Sequence, residues 1–301
     1  MKNKHTGVVL HKHGNYEVIS CNECGFKHVI PLPSNEELNK IYKDEYYTSE
    51  KPNYIEKYQK DIEWWNLIYQ YRFNLFESFL KNDERKILDI GSGPGHFLET
   101  GKSRGWEVKG LEPNVDASKY SSNLGIDIIR DFFTNEISEQ IGLFDVINLG
   151  EVLEHLIDPT EFLFRVKKNL NKNGLISIIV PNDYNPFQMI LHHNLNFNPW
   201  WLAPPYHLNY FSFDSLKILL EKVGFKVLNS ESTFPIDMFL LMNQNYIGDE
   251  VKGREVHEKR KAFEIALLNS KNEKLMNTLY QEFAKLNIGR EIFIIAQNIK
   301  S

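Results

Sequence analysis

Residues 87–97 read ILDIGSGPGHF, and the fold of the whole chain follows from how this stretch is read. The apolar run of Ile87, Leu88 and Ile90 stops at Gly91, Gly93 and Gly95, and an amphipathic segment opens at His96. That order predicts a buried strand, a tight turn and a helix start. Glycines let the backbone take positive φ and approach a ligand closely, while the first N–H groups of a helix and its macrodipole form a donor-rich cradle. A nucleotide-like ligand is the expected occupant of such a turn.

Strand and helix signals alternate regularly from here. The turn's own strand covers 86–90, and its helix runs to Arg104, where Gly105 stops it. A second strand covers 107–111 and ends at Glu112. Asn114, a good N-cap residue, opens a helix to Leu124 before Gly125. Strands follow at 126–130, 144–149 and 175–180, with a helix over 159–170. Ser212 or Asp214 caps a helix that stops at Gly224, ahead of a sixth strand over 225–229. The stretch 249–286 is charged and helical, with Leu275, Leu279, Phe283 and Leu286 on one face, yet 291–297 reads as a strong seventh strand. A strand placed after a helical insertion is expected to return to the sheet antiparallel, beside the sixth. The fold class is α/β: a Rossmann-like, doubly wound seven-stranded sheet.

Three segments are expected: a small Cys/His knuckle-like unit over 1–33, a helical cap over 34–80, and the main domain over 81–301 with its helical insertion at about 232–289. Two short hairpins suit 1–33, and a zinc ion is a candidate there. Cys21 and Cys24 form a CxxC followed by Gly25, with the further ligands sought among His5, His11, His13 and His28 and placed first at His11 and His13. In the cap, Tyr54, Tyr58, Ile62, Trp65, Tyr69, Phe73, Phe76 and Leu80 recur at spacings of three and four, a helix with an aromatic face. That face packs on the sheet, or Tyr46, Tyr47, Tyr54 and Tyr58 form a lid over a cofactor.

With 301 residues and 42% hydrophobic side chains, the core is ample. A formal net charge of −5 and no Lys/Arg stripe argue against an extended nucleic-acid surface. No apolar run spans a bilayer, and MKNKHTG lacks a signal peptide's apolar core, so the reading is a cytoplasmic protein with no membrane partner.

The details of the turn discriminate between nucleotides. A dinucleotide fingerprint wants a small residue where His96 stands. Asp89, two residues before Gly91, suits an ammonium group, and Glu112 can accept both hydroxyls of a ribose. Asp131, followed by Phe132 and Phe133, can hydrogen-bond and pack an adenine.

The segments DIGSGPGHF, GLEP, FDVINLGEVLEHLIDP, GLISIIVPN and HLNYFSFDSLKILLEKVGF resemble the successive motifs of class I S-adenosylmethionine-dependent methyltransferases. The branch they are similar to includes ubiquinone-biosynthesis O-methyltransferases and tailoring enzymes of sugars and natural products, and the likeness covers roughly residues 85–230. It implies seven strands with the last antiparallel. It also implies that Asp89, Gly91, Gly93 and Gly95 hold the methionine part of the donor, Glu112 the ribose, and Asp131 with Phe132 the adenine, while Leu149 and Gly150 face the sulfonium. Some related sugar methyltransferases carry an N-terminal Cys-rich zinc unit.

Methyl transfer is an in-line displacement at a cationic sulfur, so catalysis is largely placement of the nucleophile, with a base where that nucleophile is a hydroxyl or a carbon acid. His155 and His207 are the candidate bases. Glu151, Glu154, His155 and His207 also resemble the metal site of small-RNA 2′-O-methyltransferases, where a divalent ion would acidify a hydroxyl. The stretch 181–211 reads as a long loop bearing Tyr184, Phe187, Phe197, Trp200, Trp201, Tyr206 and Phe211, suited to stacking on a small-molecule acceptor or to a homodimer contact. The expected activity is methyl transfer to a hydroxyl or carbon of a sugar or tailoring metabolite. A metal-dependent small-RNA methyltransferase, a nicotinamide oxidoreductase and a non-catalytic cofactor-binding scaffold are the competing readings.

Overall fold

The computed structural model describes residues 5–40, 54–80, 85–269 and 272–299. The chain opens with strands β1 (Gly7–His13), β2 (Tyr16–Cys21) and β3 (Lys27–Ile30), followed by helices α1 (Asn35–Lys40), α2 (Tyr54–Lys60) and α3 (Ile62–Phe79). The alternating part runs β4 (Lys86–Ile90), α4 (His96–Ser103), β5 (Glu107–Leu111), α5 (Val115–Asn123), β6 (Asp127–Ile129), α6 (Asn135–Gln140), β7 (Phe144–Gly150), α7 (Pro159–Lys168) and β8 (Leu170–Pro181). Then come α8 (Pro186–Leu195), β9 (Asn209–Tyr210), α9 (Phe213–Val223), β10 (Phe225–Ser232), α10 (Met238–Leu241), α11 (Glu250–Asn269), α12 (Glu273–Lys285) and β11 (Glu291–Asn298).

Seven strands form one sheet in the order β10-β11-β8-β7-β4-β5-β6. β11 lies antiparallel between β10 and β8, with Glu291 opposite Pro181 and Ser232 opposite Ile292, as its strong β pattern required. Alternation along the strands splits the core between two faces. Leu88 and Ile90 join Ile147, Ile178 and Phe211 on one side, and Ile87 joins Val146, Phe97, Phe73 and Ile295 on the other. The second face is covered by α3, α4 and the insertion helices.

Local chemistry sets the helix ends. Asn114 Oδ1 accepts the N–H groups of Asp116 and Ala117, both at 3.0 Å, and starts α5. Ser212 and Ser215 form a capping box on α9, and Gly224 ends that helix at φ 92°.

Three features differ from expectation. The aromatic cap helix breaks at Asp61, which is buried beneath α11, so Trp64, Ile68 and Tyr71 join Tyr69, Phe73 and Phe76 on the buried face while Ile62 is left 47% exposed. Tyr46 and Tyr47 lie outside the described residues. On α12 the buried face is Met276, Tyr280 and Ala284, whereas Leu275 and Leu286 are exposed. The stretch after Pro181 is not an unstructured loop: Asn185 caps α8 with Pro186 at its start, and β9 pairs with β3, giving a small antiparallel sheet in the order β1-β2-β3-β9. Two hairpins do form over the first strands. No helix among the described residues is long and apolar enough to cross a membrane.

Candidate functional site

The carboxyl ends of β4, β5, β6, β7 and β8 lie along one edge of the sheet, where open α/β folds bind ligands. The turn after β4 has Gly91, Gly93 and Gly95 at φ 75°, 53° and 83°. At Gly95 a Cβ would also fall 2.1 Å from Ser121 Oγ, so helix α5 reserves that position for glycine. The N–H groups of Gly91 and Ser92 donate to Leu111 O, holding the turn against the end of β5. Glu112 ties the turn down a second time. Its carboxylate accepts the Gly93 N–H at 2.9 Å and the Asn114 N–H at 2.8 Å.

Asp89 is fully buried in β4 and accepts from Asn148 Nδ2 at 2.8 Å, while Asn148 Oδ1 accepts from Ser177 Oγ at 2.8 Å. Burial, reinforced by Glu112 and opposed by the Asn148 hydrogen bond, pushes the Asp89 carboxyl up to about 7. The nearby charge of Arg72 favours its ionised form, and a bound cation would favour it further.

Two cavities meet at Gly91, Ser92, Gly150 and Glu151. The larger, about 690 Å³, is lined by Gly93, Glu112, Asp131, Phe132, Gly150 and His155. The smaller, about 320 Å³, is lined by Asp89, Gly95, His96 and Asn148 from the sheet edge, by Arg72 from α3, and by His257 and Arg260 from α11. Gly150 reaches both, whereas Leu149 is fully buried in the core and lines neither. Sequence reasoning missed Arg72, whose guanidinium lies 5.9 Å and 5.5 Å from the ring centres of Tyr69 and Phe293. Its only signal was a cation on the aromatic helix.

His155 sits in a short 3-10 turn over Leu153–His155 at the rim of the larger cavity. Its Nδ1 donates to Tyr206 O at 2.8 Å, because a carbonyl can only accept, and this leaves Nε2 as the basic nitrogen. His207 packs edge-on at 5.2 Å between ring centres. Glu154, His155 and His207 hold potential ligand atoms within 4.8 Å of one another. Glu151 does not join this group; it stands at φ 56° between the two cavities.

The knuckle assembles with different histidines from those placed first. His5, Cys21, Cys24 and His28 bring their ligand atoms within 4.8 Å of one another. Strand register is the reason. Gly7 lies opposite Cys21, which leaves His5 beside the cysteines, whereas His11 lies opposite Val18 and His13 opposite Tyr16, several residues along the hairpin. His11 instead bonds Tyr184 OH at 3.1 Å and His192 Nε2 at 3.3 Å, and His13 is exposed. The Cys24 N–H points at Cys21 Sγ at 3.4 Å, and His28 donates Nδ1–H to Val29 O. The other nitrogen of His28 is buried without a hydrogen-bond partner among the described residues. Two sulfurs and two imidazoles in this arrangement fit a tetrahedral zinc ion.

A family model described as "Methyltransferase domain" matches residues 64–230, more than half of the chain. The chain belongs to this methyltransferase family. The matched part of this methyltransferase domain contains the glycine turn, Glu112, Asp131, His155 and His207, while the knuckle and helices α11 and α12 lie outside it. The C-methyltransferase NovU of Streptomyces niveus is 28% identical over 152 residues, covering 48% of this chain and 33% of its own length. A ubiquinone biosynthesis O-methyltransferase of Actinobacillus pleuropneumoniae serotype 7 (strain AP76) is 32% identical over 102 residues, 31% of this chain and 44% of its own. The chain thus spans less than half the length of these curated relatives. Among solved structures, the plantazolicin methyltransferase BpumL in complex with SAH superposes with a TM-score of 0.52 at 13% identity, over 87% of this chain and 94% of its own, a likeness of fold.

Proposed function

We propose that the protein transfers a methyl group from S-adenosylmethionine to a small-molecule acceptor, a hydroxyl or carbon of a sugar or tailoring metabolite. The observation that carries this reading is the junction of the two cavities at Gly91 and Gly150. A donor laid across it has adenosine in the larger cavity against Glu112, Asp131 and Phe132, and its amino-acid end in the smaller one against Asp89 and Arg72. The sulfonium then lies at the crossing, next to Gly150 and Glu151. NovU and the ubiquinone enzyme are named for C- and O-methylation, which agrees with a small acceptor. His155, with Nε2 left basic, is the base for a hydroxyl acceptor, and His207 packs against its ring to fix the orientation.

Titration with S-adenosylhomocysteine tests the donor site. Glu112→Ala removes an acceptor for the ribose hydroxyls, the tie on the glycine turn at Gly93 and the tie on Asn114, and is expected to weaken binding by about 1.5–3 kcal/mol, or about 10- to 150-fold. An affinity within about twofold of the parent would place the donor elsewhere. A mass-spectrometric screen for metabolites that gain a methyl group identifies the acceptor.

The grouping of Glu154, His155 and His207 favours a second version of the same chemistry, in which these three residues hold a divalent ion that acidifies the acceptor hydroxyl. Activity that survives EDTA removes it. Zinc in the knuckle is a structural cofactor in this reading, held by His5, Cys21, Cys24 and His28.

A further inference from the structure

His96 opens α4 directly after the glycine turn and lines the smaller cavity, yet it is 6% exposed and neither of its ring nitrogens has a hydrogen-bond partner among the described residues. The nearest carboxylate oxygen, Glu99 Oε2, lies 3.7 Å from Nδ1, beyond hydrogen-bonding range. Buried polar groups in native proteins are almost always paired, so an orphan of this kind beside a cavity is a candidate for a contact that a ligand completes. Burial lowers the imidazole to about 4, which keeps it neutral with one N–H and one lone pair.

The ring is also held in place. Tyr58 of α2 stacks on it with centroids 3.5 Å apart and planes 1° from parallel, and Tyr120 of α5 meets it edge-on at 5.5 Å. The lining of the same cavity also includes Gly95 at the start of α4, Arg72, and Ser92, whose Oγ is another buried group lacking a hydrogen-bond partner among the described residues. Asp89 lines the cavity too, as the acid, within electrostatic reach of Arg72. An acid and a set of donors lining one cavity are complementary to a zwitterion: ammonium at Asp89, carboxylate at the donors.

We propose that His96 gives its ring N–H to the α-carboxylate of the bound methyl donor, and that Tyr58 fixes the ring for this contact, so that the cap is joined to the donor's amino-acid end. This rests on the donor reading above. Methylthioadenosine, which keeps the adenosine and the sulfur but lacks the amino-acid end, separates the two claims.

The experiment is calorimetric titration of the full chain and two variants with S-adenosylhomocysteine and with methylthioadenosine, alongside ligand-free thermal melts. His96→Phe keeps an aromatic ring against Tyr58 and removes the nitrogens. It is expected to weaken S-adenosylhomocysteine by about tenfold or more while leaving methylthioadenosine unchanged. His96→Gln, which restores a donor, is expected to recover part of the loss. Equal weakening of both ligands, or no weakening of either, overturns the proposal. Should His96→Phe melt early, His96→Met replaces it: selectivity lost in Met and kept in Gln supports the contact, and equal behaviour of the two overturns it. Failure of the parent chain to bind either ligand overturns the donor reading itself and with it this contact.

Discussion

Asp89 carries the clearest pH signature of any single residue. Its carboxyl is raised to about 7 by burial, so near neutral pH the empty site holds the proton about half the time. A cationic ligand group binds the ionised form, so binding expels the proton, and affinity rises with pH wherever the free protein carries more protons than the complex. Affinity for S-adenosylhomocysteine is expected to climb by up to about tenfold per pH unit below pH 7 and to level off above it. In Asp89→Asn the slope should vanish; a slope that persists assigns it to another group, such as Glu231, which burial also raises to about 7. The sign for stability follows the same logic. Since the folded carboxyl sits above its unfolded value, the ligand-free protein loses stability as pH rises from about 4 to about 7, where the unfolded state has given up the proton that the folded state still holds, and loses no more above that.

At the scale of elements, the knuckle offers a test by metal removal. If zinc occupies the four-ligand cluster, the purified protein carries about one equivalent, chelation lowers the melting temperature, and Cys24→Ser or His28→Ala abolishes both effects while His13→Ala does not. Less than about 0.2 equivalents of metal would show a knuckle that folds without it. The CxxC itself was legible in the sequence, because two cysteines three apart have few other uses in a chain this long. Which two of the four candidate histidines join them was not, since His5 reaches them through the β1–β2 register and His28 through the turn that follows Cys24, neither of which periodicity reports. The glycine turn and the Asn114 cap were legible because each depends on residues within a few positions, and β11 because its own strong β pattern follows a helical insertion. The break at Asp61 was hidden for the opposite reason: it is imposed by α11, nearly two hundred residues away. Arg72 and His96 acquire their role only when α3 and α4 are packed side by side.

Across the whole molecule, Asp61 clasps the cap to the helical insertion. It accepts from Arg254 at 2.7 and 3.0 Å, from Lys261 Nζ at 2.5 Å and from His257 Nε2 at 3.1 Å. Burial alone would raise its carboxyl, and the hydrogen bonds from Arg254 and Lys261 outweigh this and hold it below the usual range. Asp61→Ala leaves His257 beneath the cap without this anion, and leaves Arg254 and Lys261 with Glu258 alone, and is expected to cost about 3 kcal/mol in a denaturant melt. A loss under about 0.5 kcal/mol would mean the clasp contributes almost nothing, as surface ion pairs often do. Because His257 and Arg260 also line the smaller cavity, the clasp holds one wall of the site as well as two parts of the fold.

The placement of β11 has a bearing on when the site comes into being. Among the described residues, β10 pairs with the sheet through β11 alone, so the backbone ladder of residues 225–232 is completed only when residues 291–298 lie between them and β8. Glu231 and Glu291, on these two strands, line the smaller cavity. On the donor placement proposed above, Asp89, Arg72 and His96 come from segments already made, while Glu231 and Glu291 close the smaller cavity only once the seventh strand is in place, so completion of the sheet would act as the step that seals the site around the donor's amino-acid end.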